Sequence, residues 1–225
     1  MSGKSEKWMI ICLLLIVVAG LAWCFRDRFG EKWEGEGMIS VTGVGKDLFY
    51  IFRSDDGEKQ NFTATGNSLT VPAGRYLVQL NGVEREAVIH NGDRVFLESG
   101  MLVADGYGLN LYEVWDAAGK KKLNFTRTGN GLEFFQGPYI LTLNHVRIPV
   151  NVYAGDSTIV QTGQLMVSSA FDGLYYVFDA AGENKLSFAS CGNYLEMLPG
   201  DYLVRWGENE NAVHVEVGQM VKADG

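Results

Sequence analysis

The residues that could do chemistry are few, and their spacing does not bring them together. The three histidines, His90, His145 and His214, fall at different places in a sequence that otherwise repeats itself. No repeated metal or acid–base site follows from them, so each reads as a surface or loop histidine. A pocket that drew His145 or His214 toward carboxylates would revive an enzymatic reading. Of the three cysteines, Cys12 and Cys24 lie in an apolar N-terminal run and Cys191 stands alone in the remainder. That excludes a disulfide scaffold and a cysteine-based zinc site. No nucleophile elbow, phosphate loop, His-Glu-x-x-His or EF-hand spacing occurs. Asp55-Asp56 and Glu208/Glu210 have the right oxygens for calcium but not the spacing of a calcium loop, and read as turn chemistry. Gly43-x-Gly45 and Gly106-x-Gly108 are each followed by a strand pattern. A phosphate site would need a helix start there, so they too read as turns. The sequence therefore predicts no catalytic residue, no metal and no cofactor.

What the sequence does carry is periodicity. Gly74, Gly137 and Gly200 are 63 residues apart, as are Tyr76, Tyr139 and Tyr202, and Gly92, Gly155 and Gly218. Repetition at such a period means an array of like units. Each copy holds six or seven short runs rich in aromatic and β-branched residues, broken by glycine turns, which is strand patterning without a helical period. Leu48-Phe49-Tyr50-Ile51-Phe52, Leu111-Tyr112-Glu113-Val114-Trp115 and Leu174-Tyr175-Tyr176-Val177-Phe178 are the strongest of these. The expected fold is all-β, three tandem antiparallel β-sandwich modules of about 63 residues, at 37–100, 101–163 and 164–225. A β-trefoil also repeats three times but has fewer strands per unit. Strand alternation points Tyr76, Val78 and Leu80 into the core, with Tyr139, Leu141 and Leu143 and then Tyr202, Val204 and Trp206 in the matching places. Phe62, Phe125 and Phe188 are expected to join them. Asn81-Gly82 predicts a tight hairpin, Asn144-His145 stands there in the second copy, and a longer acidic loop, Glu208 to Asn211, in the third. A module of this size is marginal alone, so the modules are expected to pack on one another.

Ahead of the repeats, residues 8–25 hold eighteen residues without a charge, including Leu13, Leu14, Leu15, Ile16, Val17 and Val18, with Trp8 and Trp23 near the ends. As a helix this run spans about 27 Å, enough for a thin bilayer core, and indoles favour the headgroup zone. The expectation is a transmembrane signal anchor after a tail at 1–7. A cleaved signal peptide and a lipoprotein signal at Leu21-Ala22-Trp23-Cys24 are the alternatives, the second lacking a small residue before the cysteine. Residues 26–36 form a charged linker. Basic residues are nearly balanced across the run, so orientation rests on the short tail staying cytoplasmic. That places the modules outside, in a bacterium the periplasm.

The formal net charge is −8. Residues 1–28 carry four basic and two acidic side chains, which leaves 15 basic and 25 acidic residues, or −10, in the rest. Such a balance argues against nucleic acid, whose phosphates call for Lys and Arg. Large aromatics remain as candidates for contact with a partner: Trp115, Phe134, Phe135 and Trp206. Consecutive residues in a strand face opposite ways, so Phe134 and Phe135 are not both expected in one core; one is expected at the surface, a module boundary or a partner interface.

Pro72-Ala73-Gly74-Arg75-Tyr76-Leu77-Val78 with Gly92, and Pro199-Gly200-Asp201-Tyr202-Leu203-Val204 with Gly218, resemble the second half of PEGA-type and carboxypeptidase-regulatory-like (transthyretin-like) β-sandwich modules of bacterial surface proteins. The resemblance covers about a third of each module. The Pro-Glu-Gly-Ala signature is absent, and the second copy lacks the proline before Gly137. The resemblance implies a non-enzymatic adhesion, scaffold or interaction module and transfers no site residue. Together these readings predict a membrane-anchored structural protein, an accessory subunit whose partners are the membrane and other subunits of a membrane or envelope complex. The alternative is a protein that binds glycan or peptidoglycan through exposed aromatics and acidic loops, a reading that exposed, coplanar Trp or Tyr on one sandwich face would favour.

Overall fold

A computed structural model describes residues 33–45, 47–168 and 172–224. The expected membrane anchor, Trp8 to Trp23 included, lies outside the described residues. Among the described residues there is no α-helix, and none long and apolar enough to cross a membrane.

The first copy contributes β1 (Glu36–Thr42), β2 (Leu48–Arg53), β3 (Lys59–Ala64), β4 (Ser68–Pro72), β5 (Gly74–Leu80), β6 (Val83–Ile89) and the first half of β7 (Arg94–Asp105). The second adds β8 (Leu111–Asp116), β9 (Lys122–Arg127), β10 (Gly131–Phe135), β11 (Gly137–Leu143), β12 (Val146–Val152) and β13 (Ser157–Gln161). The third adds β14 (Gly163–Ser168), β15 (Leu174–Asp179), β16 (Lys185–Ser190), β17 (Tyr194–Met197), β18 (Gly200–Trp206), β19 (Asn209–Val215) and β20 (Met220–Asp224).

Each copy contributes to two sheets, the first two copies sharing one five-stranded sheet through β7. One is four-stranded and antiparallel, in the order β3-β2-β5-β6, then β12-β11-β8-β9, then β16-β15-β18-β19. The other is not purely antiparallel, which corrects the expected class. β1 pairs with β4 antiparallel but with β7 parallel, and β14 does the same with β17 and β20. The reason is connectivity. The chain returns to the smaller sheet only after completing the four-stranded one, so it arrives beside β1 running the same way. β7 also crosses from one copy to the next: Arg94 to Glu98 pair with β1, while Ser99 to Asp105 pair with β10 and β13. One unbroken strand thus belongs to two copies.

The cores lie between the paired sheets. Ile39, Val41, Phe49, Ile51, Tyr76, Val78 and Leu80 pack in the first, and their counterparts in the second and third. The three Gly-x-Tyr strands bury the alternate residues that the sequence selects. Each tyrosine hydroxyl donates to the carbonyl four residues upstream, Pro72, Phe135 or Leu198, at 2.6–2.7 Å. That pins the strand to the turn before it. Phe62, Phe125 and Phe188, by contrast, are 50–55% exposed. Phe62 pairs across the sheet with Tyr50, which alternates with the core residues Phe49 and Ile51, so both rings point outward. The expected acidic loop in the third copy is also corrected. The β18–β19 turn is only Gly207-Glu208, and Asn209, Glu210 and Asn211 pair with β18.

Candidate functional site at the module joints

The groups that demand explanation are two carboxyls in the middle of apolar strands. Glu133 sits in Leu132-Glu133-Phe134-Phe135 of β10, Glu196 in Leu195-Glu196-Met197 of β17, and both are fully buried. Burying a carboxylate costs several kcal/mol unless donors surround it. Here the donors come from the preceding module. The backbone N–H of Gly45 donates to Glu133 Oε1 at 2.7 Å, and the Thr65 hydroxyl donates to Oε2. The backbone N–H groups of Tyr107 and Asn110 and the Thr128 hydroxyl donate to Glu196.

The main chain at each glutamate is held as well. Glu133 N–H donates to Asp47 Oδ2 at 2.8 Å, and its carbonyl accepts from Asn81 Nδ2 at 2.8 Å. Glu196 N–H donates to Asn110 Oδ1 at 2.9 Å, and its carbonyl accepts from Asn144 Nδ2 at 2.5 Å. Asn81 and Asn144 occupy the β5–β6 and β11–β12 turns with φ of 46° and 48°, a conformation asparagine tolerates better than most residues. That turn aims the amide at the next module. The same tip touches the next module's edge strand: Asn124 Nδ2 donates to Asn81 Oδ1 at 2.7 Å, and Ser187 Oγ to Asn144 Oδ1 at 3.2 Å. The glycines also acquire a purpose. A Cβ on Gly43 would lie 2.2 Å from Glu133 Oε1, and one on Gly106 2.8 Å from Glu196 Oε1. These turns are the cradle for a carboxyl, which sequence reading missed. The available signal was a charged residue recurring 63 residues apart inside an apolar run.

Apolar contacts cross the same joint. Phe134 lies in the second module's core, but Phe135, 2% exposed, packs in the first module's core; Leu198 packs likewise in the second's. Val83 and Leu123 pack against one cluster, Val146 and Leu186 against another. Trp206 belongs to the third core with its indole N–H unpartnered. Trp115 is half-buried on an outer face, where it donates to Glu113 at 3.1 Å and the Arg147 guanidinium lies 4.6 Å from its ring.

The end modules differ at these very positions. Where the first two copies have Asp47/Asn110, Thr65/Thr128 and Asn81/Asn144, the third has Gly173, Cys191 and Gly207. Where the later copies have Glu133 and Glu196, the first has the exposed Thr70. Gln60 replaces Leu123 and Leu186, and Asn209 replaces Val83 and Val146. The groups that build the joint are thus missing from the far side of the third copy and from the near side of the first.

Chemistry elsewhere is local. His90 pairs with Asp93 at 3.0 Å, His214 with Asp201 at 2.6 Å, and His145 Nδ1 bonds the Leu186 carbonyl at 2.6 Å. Among the described residues no three His, Cys, Asp or Glu side chains group as metal ligands. A cleft of about 240 Å³ beside Trp33, Arg53, Asp55 and Tyr76 holds an Arg53–Asp55 ion pair at 2.6 Å. The hydrogen bond from Arg53 holds the Asp55 carboxyl below its usual range.

No model of a known protein family matches the chain, and no characterised protein matches it by sequence. Among solved structures, the Bacillus anthracis TIE protein is similar over 85% of this chain at 13% identity and a TM-score of 0.26. The chain spans half the length of that protein. The minor pilin GBS52 of Streptococcus agalactiae is similar over 56% of this chain and 94% of its own, at 11% identity and a TM-score of 0.26.

Proposed function

We propose that this chain is a non-enzymatic structural subunit. Its N-terminal apolar segment tethers it to a membrane, and its three modules stand on the extracytoplasmic side as a scaffold for other subunits of a membrane or envelope complex. One observation carries the reading: the fully buried carboxyls, Glu133 and Glu196, are spent on joining modules. An enzyme would aim such groups into an open site. A scaffold uses them to fix one module on the next, because a buried polar network is stable only in the arrangement that satisfies it. The glycan-binding alternative asks for open, coplanar rings. The outward Tyr50–Phe62 and Tyr176–Phe188 pairs are tilted by 30° and 40° and lie under lysines.

The test is extraction of the native membrane in mild detergent, followed by size separation and mass spectrometry. The expected result is co-migration with a larger assembly at fixed stoichiometry. Migration as a lone species would overturn the subunit reading.

A further inference from the structure

Ten positions are identical in all three copies at the 63-residue offset. Seven have structural duties. Gly37, Gly66, Asn67, Gly74 and Gly92 mark turns or close approaches, Leu69 packs against the core, and Tyr76 pins its strand, as do their counterparts. The other three do not serve the core. They are Leu48, Lys59 and Phe62 with their repeats. The leucines are 39–52% exposed and the phenylalanines 50–55%. Within each module they share one surface, because Leu48 pairs with Ala64 and Tyr50 with Phe62, on the outer side of the four-stranded sheet, and their counterparts keep the same register. Lys59 Nζ stands 4.2 Å from the Tyr50 ring centre and 4.7 Å from that of Phe62. Lys185 repeats this over Tyr176 and Phe188 at 5.1 and 5.6 Å, and Lys122 lies 5.4 Å from Phe125.

We propose that this repeated face is a protein-docking surface with three like sites, one per module, each a Leu–Phe patch topped by a lysine, and that its occupant is an acidic segment carrying apolar side chains. The proposal rests on the reading of the chain as an interaction protein and names the partner's chemistry. Exposed phenylalanine is expensive to keep in water, and aromatic side chains are enriched where proteins meet. The charge identifies the occupant. Lysine is the one charged residue that recurs at a fixed place in every module, although the chain beyond residue 28 is acidic by 10 charges. A cation fixed beside each apolar patch selects a carboxylate there. Repulsion from the rest of the surface fades over the ~8 Å screening length of physiological salt. In the middle module Glu113 replaces the tyrosine and pairs with Lys122 at 3.1 Å, so that site is partly self-occupied and is the weakest of the three. Three linked weak sites gain affinity together.

The experiment uses the full chain in detergent micelles and three labelled twelve-residue peptides: alternating Asp and Leu, alternating Lys and Leu, and alternating Asp and Ser. Fluorescence polarisation reads binding. The expected result is at least tenfold tighter binding of the Asp/Leu peptide than of either control, lost in the triple variant Phe62→Ser, Phe125→Ser, Phe188→Ser. Phe125→Ser alone has the smallest effect of the single changes. The second variant, Lys59→Glu with Lys122→Glu and Lys185→Glu, turns the preference toward the Lys/Leu peptide without touching the apolar patch. Unchanged unfolding midpoints show that the fold survives. No binding of the Asp/Leu peptide, or binding indifferent to these changes, overturns the proposal. So does phenylalanine-dependent self-association in sedimentation, which makes a second copy the occupant, or phenylalanine-dependent binding of muropeptides, which makes it a glycan. A triple Phe variant that still co-migrates with the native assembly removes the docking face and leaves the subunit reading standing.

Discussion

At the scale of single residues, the joints turn on Glu133 and Glu196. Removing a carboxyl leaves its donors buried with no acceptor, and each orphan costs about 1–3 kcal/mol. For Glu133→Ala the orphans are the Gly45 N–H and the Thr65 hydroxyl. We predict a loss of about 3 kcal/mol, read as a lower urea midpoint. Glu133→Gln keeps one acceptor oxygen and should lose less. Thr70→Glu places a carboxyl at the same repeat position of the first module, where the side chain is exposed. Its cost should stay within about 0.5 kcal/mol. Equal losses at positions 70 and 133 would mean that the cradle contributes nothing. These roles were only half legible in the sequence. The core positions followed from alternation, because Tyr76, Val78 and Leu80 share a strand face. The cradle did not, because Gly45 and Glu133 are 88 residues apart and only the stacking of modules brings them together. The outward phenylalanines were misjudged for a related reason: hydrophobicity marks a residue for burial, but the side it faces is set by the register with its neighbour, Tyr50 against Phe62.

At the scale of elements, the joint depends on two turns that present backbone and amide groups. The turn at Gly106 has no room for a methyl group. A Cβ there would lie 2.8 Å from Glu196 Oε1 and 2.9 Å from Thr128 Cβ, both held in the joint. Gly106→Ala is therefore predicted to displace Glu196 and raise amide hydrogen exchange along β17 and at Asn110, while β2 and β5 of the first module keep their protection. Gly57→Ala is the comparison. Its Cβ meets nothing within 4 Å, so only the positive φ of 71° opposes it, at about 1 kcal/mol and with no effect on exchange at the joint. If both changes act alike, the cradle is not the tight fit described. The strands and glycine turns that frame these elements were visible in the sequence, because period-two patterning and positive-φ glycines are local properties. The parallel pairing of β1 with β7 and the sharing of β7 between two modules were not, because no local pattern records which distant strand lies alongside.

At the scale of the whole molecule, stability has one titration to show and one test of cooperativity. Tyr139 and Tyr202 are pushed up to about 12 by burial, and Tyr112 and Tyr175 are raised further by the same cause. A raised folded value means stability that is complete below the ordinary tyrosine value of 10.0 and is lost as pH rises through the folded values. The urea midpoint should hold level up to pH about 10 and fall steeply toward 12. Tyrosinate absorbance should rise with unfolding; full ionisation of the intact fold would overturn the assignment. Cooperativity is the larger consequence. A module of about 63 residues alone buries only about 60% of its unfolded surface and is marginal. Here β7 runs unbroken through two modules, Phe135 and Leu198 sit in the core of the module before their own, and a buried carboxyl closes each joint. Breaking one module therefore strips apolar cover and hydrogen-bond partners from the next. We predict that scanning calorimetry gives one transition for the intact chain, with calorimetric and van't Hoff enthalpies in agreement. Arrays coupled through nearest-neighbour contacts lose that unity when one interface weakens. Glu133→Ala should split off a lower transition for the first module, and Glu196→Ala one for the third, because each change cuts a different joint. Three transitions in the intact chain would mean that the joints are passive contacts, and the scaffold reading would lose the rigidity on which it depends.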